Sequence, residues 1–277
     1  MTKCAVIQMA SGARVESNLT EAERLIKDAV RSGAKLVVLP ENFALMGLNE
    51  HDKLSHMESE GKGLIQNFLR HISRRYGVWI VAGTIPMESA LVSKIRASTL
   101  VFNHHGERVG RYDKIHLFDV DVPDSDEQYR ESDTIDSGSE LLIIDSPIGR
   151  LGIAVCYDLR FPEMFRIMLD AGMEVLALPS AFTAATGAAH WEILIRARAI
   201  ENLCYVVASN QGGEHENGRT TYGHSMIVDP WGKVMNTLGT GSGVVSADID
   251  LAQLRSVRRS FPVLKNRRLH QENHQHG

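Results

Sequence analysis

"GIAVCYDLRFPE" (residues 152–163) is the stretch from which the rest of the chain can be read. Gly-Ile-Ala-Val is an apolar run of strand length. The chain then crosses a polar Tyr-Asp-Leu-Arg and enters a helix pattern at Phe-Pro-Glu, with proline where a helix start tolerates it. Cys156 stands where the strand ends. Free cysteine is among the most buried residue types, so a place in the core would be ordinary. A place at a strand exit, beside an arginine and several acids, asks for another reason.

The same alternation of short apolar strands and amphipathic helices extends in both directions. Strands are expected over 4–9, 35–40, 78–84, 96–103, 107–114, 141–145, 150–156, 174–179, 205–210 and 244–250. Residues 17–32 place Leu19, Ala22, Leu25, Ile26, Ala29 and Val30 on one helical face, and Gly33 stops the helix. Further helices are expected over 61–76, 162–171, 189–203 and 250–259. Hairpin turns fit 103–107 and 229–233, and 119–140 reads as a looser acidic segment. No composition break marks a linker, so the reading is one α/β domain of mixed sheets over 1–262. A polar tail over 263–277 is expected to be disordered or to take part in oligomer contacts.

The totals narrow the class. The 277 residues are 43% hydrophobic and 23% charged, which is ordinary for a globular protein. A net charge of −4 gives no footing for nucleic acid. The apolar runs fall far short of the ~20 residues a membrane-spanning helix needs. "MTKCAVIQMA" (1–10) enters a strand pattern at once and lacks the apolar region of a signal peptide. Cys4, Cys156 and Cys204 are widely spaced and form no CxxC, which argues against a disulfide framework and a thiolate metal site. The expectation is a cytoplasmic protein.

Three chemically apt residues share one kind of position, just past the end of a strand: Glu41, Lys114 and Cys156. A thiol, a carboxylate to take its proton and a cation to hold an oxyanion are the parts of acyl transfer. Each also has a plain structural reading: Glu41 as a solvated strand end, Lys114 as a surface charge, Cys156 as core. Spacing alone does not bring the three together.

The local motifs add what spacing does not. "LVVLPENF" (36–43), "RYDKIHLFD" (111–119) and "VCYDLRFPE" (155–163) resemble, in order, the three signature blocks of the nitrilase-related carbon–nitrogen hydrolases. "PSAFTAATGAAHWEILIRARAIEN" (179–202) and "GHSMIVDPWGKV" (223–234) extend the likeness over nearly the whole chain. The resemblance implies a four-layer α-β-β-α sandwich of two mixed sheets, assembled as a homodimer or larger oligomer. It implies Glu41 as general base, Lys114 as oxyanion stabiliser, Cys156 as nucleophile and Glu131 as the residue positioning Lys114. The neighbouring lysine would favour the thiolate. The implied cycle releases ammonia or an amine, passes through a thioester and uses no metal or organic cofactor.

Within that family the chain resembles the Nit-type amidases, which act on short amides of α-keto acids. The stretches 196–208 and 222–232 look closer to the branch acting on deaminated glutathione than to the ω-amidases acting on α-ketoglutaramate. By resemblance, Arg160, Phe182 and Thr186 would bind the carboxylate and keto end of the substrate. A guanidinium fork suits a carboxylate on its own merits, although Arg160 in an ion pair with Asp158 or Glu163 is the structural alternative. Another small-amide or carbamoyl hydrolase, or an interaction protein retaining the fold, are the remaining readings.

Other motifs carry less. "GTGSG" (239–243) precedes a strand, not a helix, and reads as a turn rather than a phosphate loop. "DVDVPDSDEQYRE" (119–131) lacks the central glycine of a calcium loop. "GHSMI" (223–227) lacks the second glycine of a serine-hydrolase elbow. Cys4 and Cys204 fall inside strand and helix patterns and should be core. His104, His105 and His116 read as loop or ligand-wall residues, and His270, His274 and His276 belong to the polar tail.

Overall fold

A computed structural model describes residues 1–122 and 128–268; Pro123 of the acidic segment and His270, His274 and His276 of the tail lie outside the described residues. Thr2–Gln8 pairs in parallel with Leu36–Leu39, which pairs in parallel with Trp79–Ala82. Gly243–Ile249 runs antiparallel along one side of this sheet. Ile95–Phe102 runs antiparallel on the other, flanked by Ile85–Glu88 and Arg108–Asp113. A second sheet has the order Val234–Thr237, Met226–Val228, Tyr205–Asn210, Val175–Ser180, Gly149–Ile153, Leu142–Ser146. Its three central strands are parallel and its outer ones antiparallel.

Period-two alternation sorts the side chains into layers. Cys4, Val6, Leu36 and Val38 turn toward the second sheet and share one core with Leu151, Ile153 and Val175. Their neighbours Ala5, Ile7, Val37 and Leu39 turn the other way, against Leu19, Leu25, Ile26, Leu69 and Ile72 of the helices Val15–Arg31 and Leu64–Tyr76. The other face of the second sheet, with Leu176 and Val206, is covered by Pro162–Asp170, Ala184–Asn202 and Leu251–Ser260, whose Phe165, Met168, Trp191, Ile195 and Leu254 belong to the same continuous cluster. The result is the expected α-β-β-α sandwich. Each fully buried large aliphatic side chain contributes about 1.5–3 kcal/mol of transfer free energy. The Ser209 hydroxyl donates to the Ile7 carbonyl and ties one sheet to the other.

The expected elements hold to within a few residues, and the differences include a short strand pair, Asp119–Asp121 with Gln128–Arg130, in the segment expected to be a loop. Ile85–Glu88 adds a strand that its proline conceals in the sequence. The helix expected at 189 begins at Ala184, capped by Thr183, whose hydroxyl accepts from the Thr186 amide. A small hairpin, Gly212–Glu214 with Thr220–Tyr222, forms where the sequence reads as polar loop. Gly187 lets this hairpin lie against the helix, since a Cβ there would stand 2.3 Å from Tyr222 Cβ.

Candidate active site

The parallel strands Leu36–Leu39 and Gly149–Ile153 deliver Glu41 and Cys156 just past their ends, and Arg108–Asp113 delivers Lys114. All three are buried. Lys114 Nζ donates to Glu41 Oε1 at 2.8 Å and to both oxygens of Glu131 at 2.9 and 2.8 Å. Glu131 comes from the short 3-10 turn Glu131–Asp133, and its Oε2 also accepts from the Phe118 amide at 2.7 Å. The sequence brought these residues to strand ends and turns; the fold brings them to one point.

Close backbone approach fixes Glu41. The Gln211 side chain donates to the Glu41 carbonyl at 2.9 Å, and Asn42, at φ +57°, donates its amide to Thr84. Gly83 has φ +47°, and a Cβ on it would fall 1.9 Å from the Pro40 carbonyl oxygen. Only glycine lets the two strand ends meet there.

Cys156 is held at φ +48°, a left-handed conformation that costs a non-glycine residue about 1–3 kcal/mol. What imposes it is Asp158, fully buried two residues on. Its carboxylate accepts from the Val155 amide at 2.8 Å and from Tyr112 Oη at 2.6 Å, and pairs with His116 Nδ1 at 2.7 Å. The His116 amide adds a further bond at 3.1 Å. Tyr112 and His116 flank Lys114, so one carboxylate clamps the cysteine turn to the lysine segment. Asp158 is thereby unavailable to Arg160, which instead meets His190 Nδ1 at 3.2 Å and has no acidic partner among the described residues. This role of Asp158 escaped the sequence reading because only the fold reveals how many donors converge on it.

Burial pushes the Glu41 carboxyl up, but the Lys114 ammonium overrides it, with smaller help from Cys156 and Arg219, and the carboxyl lies below its ordinary value. Burial opposes the charge of Lys114, yet Glu131 and Glu41 hold it well above the ordinary range. For Cys156, burial and the Glu41 carboxylate outweigh Lys114 and the facing Ala181 amide, so the thiol is raised. Lys114 does favour the thiolate, as expected, but burial and Glu41 outweigh it. Cys4 and Cys204 are core, as expected, and burial pushes each thiol to about 12.

Above the cluster opens a cavity of about 440 Å³, within the range of small-molecule sites. Phe182, Thr186 and Arg160 line it together with the four central residues. Phe182 meets Trp191 edge-on at 4.9 Å, and the Arg160 guanidinium lies 5.3 Å from the Phe182 ring. The Thr186 hydroxyl shares a bond with Thr183 at 2.9 Å. Glu50, Lys53 and Arg219 also reach the cavity, and the sequence reading missed all three. Among the described residues no cluster of His, Cys, Asp and Glu is arranged to hold a metal ion, and no helix is long and apolar enough to cross a membrane.

A fold of this kind, with an acid, an ammonium and a thiol at one cavity floor, defines an amide-cleaving class. Residues 3–259 match the family model for carbon-nitrogen hydrolase, and the chain belongs to that family. The deaminated glutathione amidase of Yersinia enterocolitica is 44% identical over 265 residues, covering 95% of this chain and 92% of that protein. The deaminated glutathione amidase of Synechocystis is 42% identical over 266 residues, covering 95% and 97%. Among solved structures, Saccharomyces cerevisiae Nit3, a member of branch 10 of the nitrilase superfamily, superposes with a TM-score of 0.86. It is 30% identical and the match covers 97% of each chain.

Proposed function

We propose that this protein hydrolyses deaminated glutathione, a linear amide, at its keto-acid amide bond, with Cys156 as nucleophile. The observation carrying the reading is the buried Lys114 ammonium held between Glu41 and Glu131 beside the Cys156 thiol. The likeness to two deaminated glutathione amidases supports the substrate.

Glu41 takes the thiol proton as sulfur attacks the amide carbon; the S–C bond forms and the carbonyl π pair moves onto oxygen. Lys114 has three N–H groups. With Glu41 and Glu131 each taking one, the third meets the oxyanion. The C–N bond then breaks, and Glu41 returns its proton to the departing amine, which leaves as cysteinylglycine. Water, deprotonated by Glu41, attacks the thioester; the thiolate leaves, regains the proton, and the keto diacid is released. Because Cys156 rests as the thiol, proton transfer to Glu41 accompanies attack rather than preceding it. Arg160, at the Phe182 and Thr186 wall, pairs with the keto-acid carboxylate.

The unit doing this is one domain over residues 1–262, acting in the cytoplasm as at least a homodimer. An exposed apolar face supports self-association: Ile193 and Ile200 lie two helical turns apart, and Trp231 meets Phe261 edge-on at 5.2 Å beside them. Sedimentation of Trp231→Glu, expected to be monomeric, checks the assembly.

The activity test measures cysteinylglycine released from deaminated glutathione beside ammonia released from α-ketoglutaramate, with Cys156→Ala as control. Preference for the first, abolished in the variant, is the expected result. Preference for the second keeps the chemistry and replaces the substrate by that of an ω-amidase.

A further inference from the structure

Five lysines and arginines line the cavity: Lys53, Lys114, Arg130, Arg160 and Arg219. Three have acidic partners, Lys53 with Glu50, Lys114 with Glu41 and Glu131, and Arg130 with Asp121. Among the described residues, Arg160 and Arg219 have none. Arg219 is the less satisfied of the two. Its Nη2 donates to the Ala181 carbonyl at 2.7 Å, while its Nε is buried with no hydrogen-bond partner. A buried donor left unpaired costs about 1–3 kcal/mol, which a bound acceptor would recover.

A run of three aromatic rings links the two guanidiniums. Arg160 lies 5.8 Å from the Tyr157 ring, Tyr157 meets Phe118 at 5.1 Å, Phe118 meets Tyr129 at 5.0 Å, and Arg219 lies 4.9 Å from the Tyr129 ring. The Arg219 charge is among the groups that lower the carboxyls of both Glu41 and Glu50. Glu41 is the group that must hand a proton to the departing nitrogen, so the end of the cavity near Glu41 and Arg219 is where the amine half lies.

We propose that Arg219 binds a carboxylate on the amine half of the substrate, so that the site selects amides carrying one carboxylate on each side of the scissile bond. The inference rests on the proposed Cys156 amidase reading and sharpens its substrate class. Deaminated glutathione meets the requirement: its keto acid supplies one carboxylate and its terminal glycine the other. α-Ketoglutaramate, whose departing group is ammonia, supplies only the first. The guanidinium fork, braced through Nη2 on Ala181 and flanked by Tyr129, has N–H groups beyond that bond to offer a planar anion.

The test compares wild type, Arg219→Ala, Arg219→Lys and Arg160→Ala on three substrates: deaminated glutathione, its C-terminal carboxamide and α-ketoglutaramate. Arg219→Ala should raise KM for deaminated glutathione by about 10- to 100-fold, the scale of one charge-assisted pair, with kcat little changed. The same variant should change KM for the other two substrates less than about threefold, while Arg160→Ala weakens all three. Arg219→Lys should restore part of the loss. An equal loss on all three substrates assigns Arg219 to bracing the Ala181 segment and overturns the inference while leaving the reaction intact. Wild type that is inactive on all three, although iodoacetamide labels Cys156, overturns the parent reading and this one with it.

Discussion

The floor of the cavity and its rim are built by different rules. On the floor, Glu41 and Cys156 leave the ends of strands locked in the cores, Lys114 follows the buried Tyr112, and the Lys114 charge is matched within 3 Å. At the rim, Arg160 and Arg219 come from a turn and a hairpin loop, and neither meets an acid among the described residues. Charges cancelled by the protein hold a geometry through a reaction cycle; charges left open wait for a ligand to cancel them. Floor substitutions should therefore damage both chemistry and stability, and rim substitutions should damage affinity alone.

Lys114→Met should break that contrast most severely if it is wrong. Two carboxylates would be left facing each other in a buried site, at a cost of about 3–5 kcal/mol in urea unfolding. Turnover should fall at least about 10³-fold. A variant that lost activity at full stability would mean the floor is less tightly coupled than its distances imply.

Glu41→Gln keeps the shape and removes the base, and kcat should drop by about 10²- to 10⁴-fold. The pH dependence sharpens the same point. Glu41 works as the carboxylate and its pKa is lowered from 4.5, so activity is lost only as pH falls through that lowered value. Cys156 is raised well above 9.0, so no alkaline step precedes that. The profile of kcat/KM for the free enzyme should be flat across neutral pH, and a step near pH 7 would contradict the assignment.

Arg160→Ala tests the rim: KM for keto-acid amides should rise about 10- to 100-fold with the melting temperature unchanged. Gly83→Ala lies between the two regions. It touches no substrate, yet its Cβ would strike the Pro40 carbonyl, and a loss of about 1–3 kcal/mol with a lower kcat is expected. The smallest effect belongs to His190→Ala, which removes only a ring-nitrogen contact from Arg160 and should change KM by less than about threefold.

The same division governs what could be read from the chain beforehand. Strand-end residues are legible because an apolar run followed by Pro40-Glu41 or by Cys156 marks both the strand and its exit. The four layers and the Glu–Lys–Cys set needed the family resemblance, since periodicity does not say which strand ends meet. Arg219 was illegible although a local signal existed: Asn217-Gly218 is a strong hairpin dipeptide, and Gly218 does take φ +80°. That signal locates a turn without saying that the turn folds over a cavity. The helix start at Ala184 was placed too late, and the turn it adds includes Gly187, whose lack of a Cβ seats the same hairpin. Asp158 in "CYDLR" entered the sequence reading only as a possible partner of Arg160, and its four donors come mainly from a segment some forty residues earlier.

The protonated state of Cys156 has a consequence outside amide hydrolysis. Peroxides and other oxidants attack the thiolate far faster than the thiol. An enzyme that exposes a nucleophilic sulfur only while a substrate carbonyl occupies the cavity spends its idle time in a form that oxidants scarcely touch. Cys156 should outlast low-pKa cysteines under hydrogen peroxide, and the strained turn that presents it need not double as a redox sensor.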